Sequence, residues 1–176
     1  MTVPFVHSGY ARKENDDYQT VDARCIEALL ESWPFIGARV ADICSRDGSG
    51  ILDYLSAHTD LTPVQMEDAF DDFEADWVIT NPPYAKNVVD TFIQRGIDLI
   101  ETKKIKGAAY LMRANFDLAK GRAKFFDSHL YLGQVRMRFR PWWSEDRKAS
   151  PIHNFVWHVW GADAIYNSPP VIFYWP

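Results

Sequence analysis

The apolar positions along this chain change period several times, and each change marks an element. Val21, Ile26, Leu29, Leu30 and Trp33 fall largely on one face at helical spacing, which predicts an amphipathic helix from Val21 to Trp33, with Thr20 as its cap and Pro34 and Gly37 ending it. Arg39-Val40-Ala41-Asp42-Ile43-Cys44 is a short apolar strand, followed by the turn Ser45-Arg46-Asp47-Gly48-Ser49-Gly50 and a helix from Ile51 to about His58. Leu61 to Met66 and Trp77-Val78-Ile79-Thr80 are two further short apolar runs. Val88, Val89, Phe92, Ile93, Ile97 and Ile100 then return to helical spacing over Asn87 to Thr102 and predict a helix packed on a sheet. Gly107 to Met112 is a buried strand, Lys120 to Phe126 a helix, and Tyr131 to Arg140 alternates with a period of two that puts Arg136, Arg138 and Arg140 on one face. Asn154 to Trp160 is a last strand, closed by Gly161.

Composition adds that the elements belong together. With 176 residues, 47% of them hydrophobic and 15% aromatic, the chain suits one domain with a substantial core. It is expected to span 1 to 176, with an irregular segment at 1 to 20 and an extension at 162 to 176. No apolar run reaches membrane-spanning length and the start lacks a leader pattern, so a soluble protein of the cytoplasm is expected. Cys25 and Cys44 fit free thiols, and no zinc or other metal signature accompanies them. The acidic cluster Asp71-Asp72-Glu74-Asp76 reads as a solvated loop.

Charge is distributed unevenly. Residues 1 to 100 carry 7 Lys+Arg against 18 Asp+Glu, whereas residues 101 to 150 carry 12 against 5, although the whole chain is at −5. An acidic body with one basic side is the pattern of a protein that meets a polyanion there.

The candidate chemistry lies in Asn81-Pro82-Pro83-Tyr84, directly after the run that ends at Thr80. Two prolines without amide hydrogens cannot continue a central strand, and Pro82 holds Asn81 in an extended conformation. A carboxamide is therefore presented at a strand's carboxyl end, where open α/β sheets bind ligands. The Asn81 oxygen and a proline carbonyl suit the two hydrogens of a planar amino group, with Tyr84 stacked on its face.

This tetrapeptide resembles the catalytic motif of S-adenosylmethionine-dependent amino-methyltransferases: Asn, Asp or Ser, then Pro-Pro, then an aromatic residue. The resemblance extends from about residue 16 to 161. Tyr18-Gln19-Thr20-Val21 is similar to the family's Tyr-x-Thr-Pro segment at the methionine end of the cofactor, with Val21 in place of proline. The first strand and its turn match the family's Asp/Glu-x-x-x-Gly-x-Gly at Asp42 and Gly48, with Ser45 and Asp47 in the same turn, but Arg46 stands where the first glycine is usual and narrows the expected methionine pocket. Glu67 would contact the cofactor's ribose if Leu61 to Met66 is the second strand; Asp68 and Phe70 would hold its adenine if that run is the third. Leu111-Met112-Arg113 and Gly121-Arg122-Ala123-Lys124-Phe125-Phe126, then Arg-x-Pro-x-Trp-like residues, a loop and an aromatic strand, look like small enzymes of phage and bacterial origin.

The resemblance implies a Rossmann-like, mostly parallel sheet with helices on both faces and an antiparallel pair at the C-terminal end, shortened by about one strand and one helix. It implies S-adenosylmethionine as cofactor and a nucleic acid, DNA above all, as partner, with N6 of adenine as the methyl acceptor. Arg136, Arg138, Arg140, Trp142 and Trp143 are the candidate substrate contacts, since arginine forks pair with phosphate and aromatic rings with a flipped base. The same tetrapeptide also serves cytosine N4, RNA bases and protein glutamine, and the Arg46 departure keeps open a silent module that retains the fold alone. No separate recognition domain is evident, so specificity is expected from loops or from a homo-oligomer.

Overall fold

The computed structural model describes residues 20, 22–35, 38–44, 50–64, 74–85, 88–143, 151–162 and 170–176. Seven strands form one sheet in the order β2-β1-β3-β4-β6-β5-β7: β1 is Arg39–Ala41, β2 Thr62–Val64, β3 Trp77–Thr80, β4 Gly107–Arg113, β5 Tyr131–Met137, β6 Phe155–Gly161 and β7 Val171–Trp175. β1, β2, β3 and β4 pair in parallel. β6 runs antiparallel to both β4 and β5, and β7 returns to pair in parallel with β5.

The expected mostly parallel architecture is therefore present, with its antiparallel pairing at β5 and β6. Between helix α2 (Gly50–His58) and β3, β2 is the one strand among the described residues, and it lies directly beside β1, as a second strand would.

Helices cover both faces because their apolar stripes match the sheet's alternation. On one face α1 (Arg24–Ser32) and α2 bury Ile26, Leu29, Ile51 and Leu55 against Val40, Leu111, Val135 and Trp157. On the other, α3 (Val88–Glu101) and α4 (Ala123–Phe126) bury Phe92, Ile93, Ile97 and Phe125 against Val78, Ala108, Tyr110 and Trp160. Trp157 and Trp160 are fully buried and their indole N–H groups donate to the carbonyls of Cys25 (2.6 Å) and Phe125 (2.9 Å), so both are core residues, each with its polar atom satisfied. Cys25 and Cys44 are free thiols. No described helix is long and apolar enough to cross a membrane.

Three local expectations are corrected. Thr20 does not cap α1: Ala23 occupies the cap position without a side-chain bond, and Cys25 N–H donates to the Asp22 carbonyl, so the helix starts at Arg24. Lys120 to Phe126 is a 3-10 turn followed by the four residues of α4 rather than one helix. β5 ends at Met137, which leaves Arg138 and Arg140 beyond the strand. The extension after residue 161 supplies an edge strand, β7, made possible by Gly133: its φ of 137° suits glycine, and a Cβ there would collide with the Val171 backbone.

Candidate active site

Val40 pairs with Trp77 and Ala41 with Val78, which brings the carboxyl ends of β1 and β3 side by side. Asp42 follows the first strand and Asn81 the second. Both are nearly inaccessible, at 4% and 7% exposure. Thr80, the last residue of β3, donates from Oγ1 to Asp42 Oδ1 at 2.5 Å, and the same oxygen accepts from Cys44 N–H at 3.2 Å. Asp42 thus joins its own turn to the residue preceding Asn81.

Asn81 to Tyr84 leave the sheet as irregular chain, neither helix nor strand, as the prolines require. The Tyr84 hydroxyl lies between two acceptors, Asn81 Oδ1 and the Leu111 carbonyl on β4, the latter at 2.8 Å. Its ring sits 5.5 Å from that of Phe155, tilted by 59°. The carboxamide oxygen thus faces a hydrogen-bond donor, the chemistry that an amino group would also offer it.

The loop after β5 is tied to the front of α1. Asp22, 5% exposed, accepts from Arg24 Nε (2.9 Å) and Nη2 (2.7 Å) and from the Trp142 backbone N–H (3.2 Å). Burial pushes the Asp22 carboxyl up, but the Arg24 fork and the Trp142 amide together hold it below the ordinary 3.8. Arg24 stacks over Phe139 at 4.2 Å, and Trp143 meets Phe155 edge-on at 4.8 Å. Trp143 and Tyr84 therefore flank the same phenyl ring, placing the Trp142-Trp143 loop beside the Asn81 turn. Asp22, Thr80 and Phe155 were not singled out from sequence. Thr80 was the one with a signal, a lone hydroxyl ending a fully apolar strand.

The three arginines take different roles. Arg136 donates from Nε to Gln134 Oε1 (3.2 Å), and Arg140 donates from Nε to Asn154 Oδ1 (3.1 Å). Arg138 is exposed, and its backbone N–H donates to the Trp175 carbonyl.

For a cofactor of the S-adenosylmethionine type, the described residues offer Asp42 at the carboxyl end of β1 and Thr20, whose Oγ1 is buried without a hydrogen-bond partner. A buried orphan hydroxyl fits a polar ligand group, and an acid at a strand's carboxyl end fits the binding edge of such a sheet. Tyr18, Ser45, Asp47, Gly48, Glu67, Asp68 and Phe70 lie outside the described residues. No group of three or more metal-ligating side chains occurs among the described residues.

No protein-family model matches the chain. No curated protein matches it in sequence either. Among solved structures, it is similar to one from Pyrococcus horikoshii described as a "putative RNA methyltransferase", with a TM-score of 0.54 and 13% identity over 82% of this chain and 86% of that one. At that identity the likeness concerns the fold alone, a Rossmann-like α/β sheet that the two chains share.

Proposed function

We propose that this protein is an S-adenosylmethionine-dependent methyltransferase whose acceptor is the exocyclic amino group of a nucleic-acid base, N6 of adenine in DNA. The observation that carries this reading is the Asn81 Oδ1 acceptor held at the carboxyl end of β3, already engaged by the Tyr84 hydroxyl and adjoining the Leu111 carbonyl.

When bound, S-adenosylmethionine supplies an electrophilic methyl group on a sulfonium, which leaves as a neutral thioether. Asp42 and Thr20 are the described residues that would hold it. An exocyclic amino nitrogen is a poor nucleophile because its lone pair is delocalised into the ring. Asn81 Oδ1 and a proline carbonyl accept its two hydrogens, which favours a pyramidal nitrogen and frees that lone pair. Tyr84 turns from Asn81 to the face of the base, and the buried turn fixes the acceptor for in-line attack. In duplex DNA the base first leaves the stack. The nitrogen loses its extra proton to water after transfer. The basic balance of residues 101 to 150 supports a polyanionic substrate.

The test is incubation with labelled S-adenosylmethionine and, separately, unmodified DNA, RNA and cell protein. Label is expected in DNA. Label in RNA alone or protein alone overturns the DNA reading, and absence of cofactor binding by calorimetry near millimolar overturns the enzyme. Asn81→Ala should abolish transfer and leave cofactor binding nearly intact.

A further inference from the structure

The edge of the sheet furthest from β2 carries an aromatic and cationic patch that adds Tyr174 to Arg136 and Arg138, away from the Asn81 turn. Arg136 stands opposite Tyr174 in the β5–β7 register. The Arg136 guanidinium carbon is 5.9 Å and that of Arg138 5.4 Å from the Tyr174 ring centroid, both within cation–π range. Tyr174 is nevertheless 57% exposed, and Ile172, on the same face two residues earlier, is 48% exposed. Among the described residues no carboxylate lies within ion-pair distance of either guanidinium. Phe173 points to the opposite face, where it meets Trp33 edge-on at 5.6 Å, so packing accounts for Phe173 but not for Tyr174.

The patch also lies at the right end of the sheet. The register row through Thr80 runs to Tyr110, His158, Gln134 and Ile172. Because β3, β4, β5 and β7 share one direction, Tyr174 is two residues further toward the carboxyl edge, level with the Asn81-Pro82 turn. Four strand spacings separate β3 from β7, about 19 Å at ~4.8 Å each. That distance corresponds to about six nucleotide steps of a B-form strand at ~3.4 Å per step.

We infer that Tyr174, with Arg136 and Arg138, is a stacking and phosphate-binding platform for the DNA flanking the methylated base, about six nucleotides away from it. The inference rests on the proposed nucleic-acid acceptor. An exposed ring accepts any base by its face, and two cations beside it hold the phosphates without reading sequence. The occupant is a DNA strand rather than an apolar partner because the ring is bordered by cations that no described acid neutralises, in the basic portion of the chain.

The experiment measures binding of a fluorescein-labelled 20-mer DNA by anisotropy, together with kcat and KM for methyl transfer. Tyr174→Ala is expected to raise Kd and KM about tenfold, the scale of one lost base stack, with kcat unchanged and Tyr174→Phe restoring both. Arg138→Gln should lower the salt dependence of binding by about one phosphate contact. On DNA trimmed to three nucleotides either side of the target, Tyr174→Ala and wild type should have equal KM. If Tyr174→Ala binds and methylates the 20-mer like wild type, the platform is overturned and the acceptor reading stands. If wild type neither binds nor methylates DNA, both fall.

Discussion

The Tyr84 hydroxyl donates to Asn81 Oδ1, so the residue expected to stack on the acceptor also takes up part of the Asn81 hydrogen-bonding capacity. Asn81 Oδ1 has two lone pairs, so an amino group accepted there either shares the oxygen with that hydroxyl or shifts it to its second acceptor, the Leu111 carbonyl at 2.8 Å. Tyr84→Phe keeps the ring and removes the competitor. It is expected to keep kcat within about threefold of wild type and to leave KM equal or lower, since the bond lost is a neutral one of about 1 kcal/mol. Tyr84→Ala should lose at least tenfold in kcat/KM. Steady-state kinetics on one DNA substrate separates these outcomes, and a Phe variant as impaired as Ala would show that the hydroxyl itself acts in the reaction.

Thr80 and Asp42 form a second coupling, between the strand that carries Asn81 and the turn that follows β1. Thr80 is fully buried, so Thr80→Val is nearly isosteric but leaves an Asp42 oxygen short of one donor. The expected loss of stability is about 1–3 kcal/mol, with a fall in kcat larger than the rise in KM because Asn81 is displaced. Thr80→Ser keeps the hydroxyl and should recover kcat. Urea unfolding and kinetics on the three proteins check this, and an unchanged kcat in Thr80→Val would remove the positioning role.

The turn at Asn81 was legible because its cause is local: two prolines end a strand wherever they stand, and the apolar run before them needs only a sheet to enter. The same holds for α3, whose stripe places Val89, Phe92, Ile93 and Ile97 in the core. What escaped depends on residues far apart in sequence. Thr20 has the chemistry of a cap, but α1 starts at Arg24 with Ala23 before it, and the Asp22 carboxylate nearby is taken by Arg24 and by Trp142 from 120 positions away. Arg138 continues the alternation of Arg136, but the ladder stops at Met137, and β7 exists through the fit of Gly133 to Val171. Asp42 carried a cofactor signal in sequence, whereas its bond to Thr80 needed the β1–β3 register.

Asp22 is expected to act as the clasp of the Trp142-Trp143 loop. Asp22→Asn removes the charge that binds both Arg24 nitrogens and weakens the acceptor for Trp142 N–H. A cost of about 1–2 kcal/mol is expected, modest because Arg24 is partly exposed. Since the folded carboxyl is held below 3.8, its contribution is complete above the ordinary value and is lost as pH falls through the lower, folded one. Wild type and Asp22→Asn should therefore differ in urea midpoint at pH 7 and converge only in strong acid; a gap that does not narrow there would mean the carboxylate's charge is not what the clasp uses.

His158 should act over a different and earlier pH range. It is fully buried among Phe126, Tyr131 and Trp160, with Nδ1 2.9 Å from the Tyr131 hydroxyl and Nε2 without a partner. Burial, with Arg136 nearby, lowers its pKa from 6.5 to about 3, so the ring stays neutral in the folded chain while the unfolded chain takes up a proton below about pH 6.5. The unfolded state then binds more protons, and stability falls as pH drops from 6.5 toward 3, by up to about 1.4 kcal/mol per pH unit for this one group. Tyr131, packed against His158, has its own pKa raised by burial and stays neutral throughout the window. His158→Gln retains an acceptor for Tyr131 and cannot titrate. Its absolute stability at pH 7.5 should be lower, because a ring is lost from an aromatic cluster, but its slope between pH 6.5 and 5, above most carboxylates, should be flatter than that of wild type. Urea unfolding at half-unit steps across that interval measures both slopes, and parallel lines would show that the imidazole is not held neutral in the core.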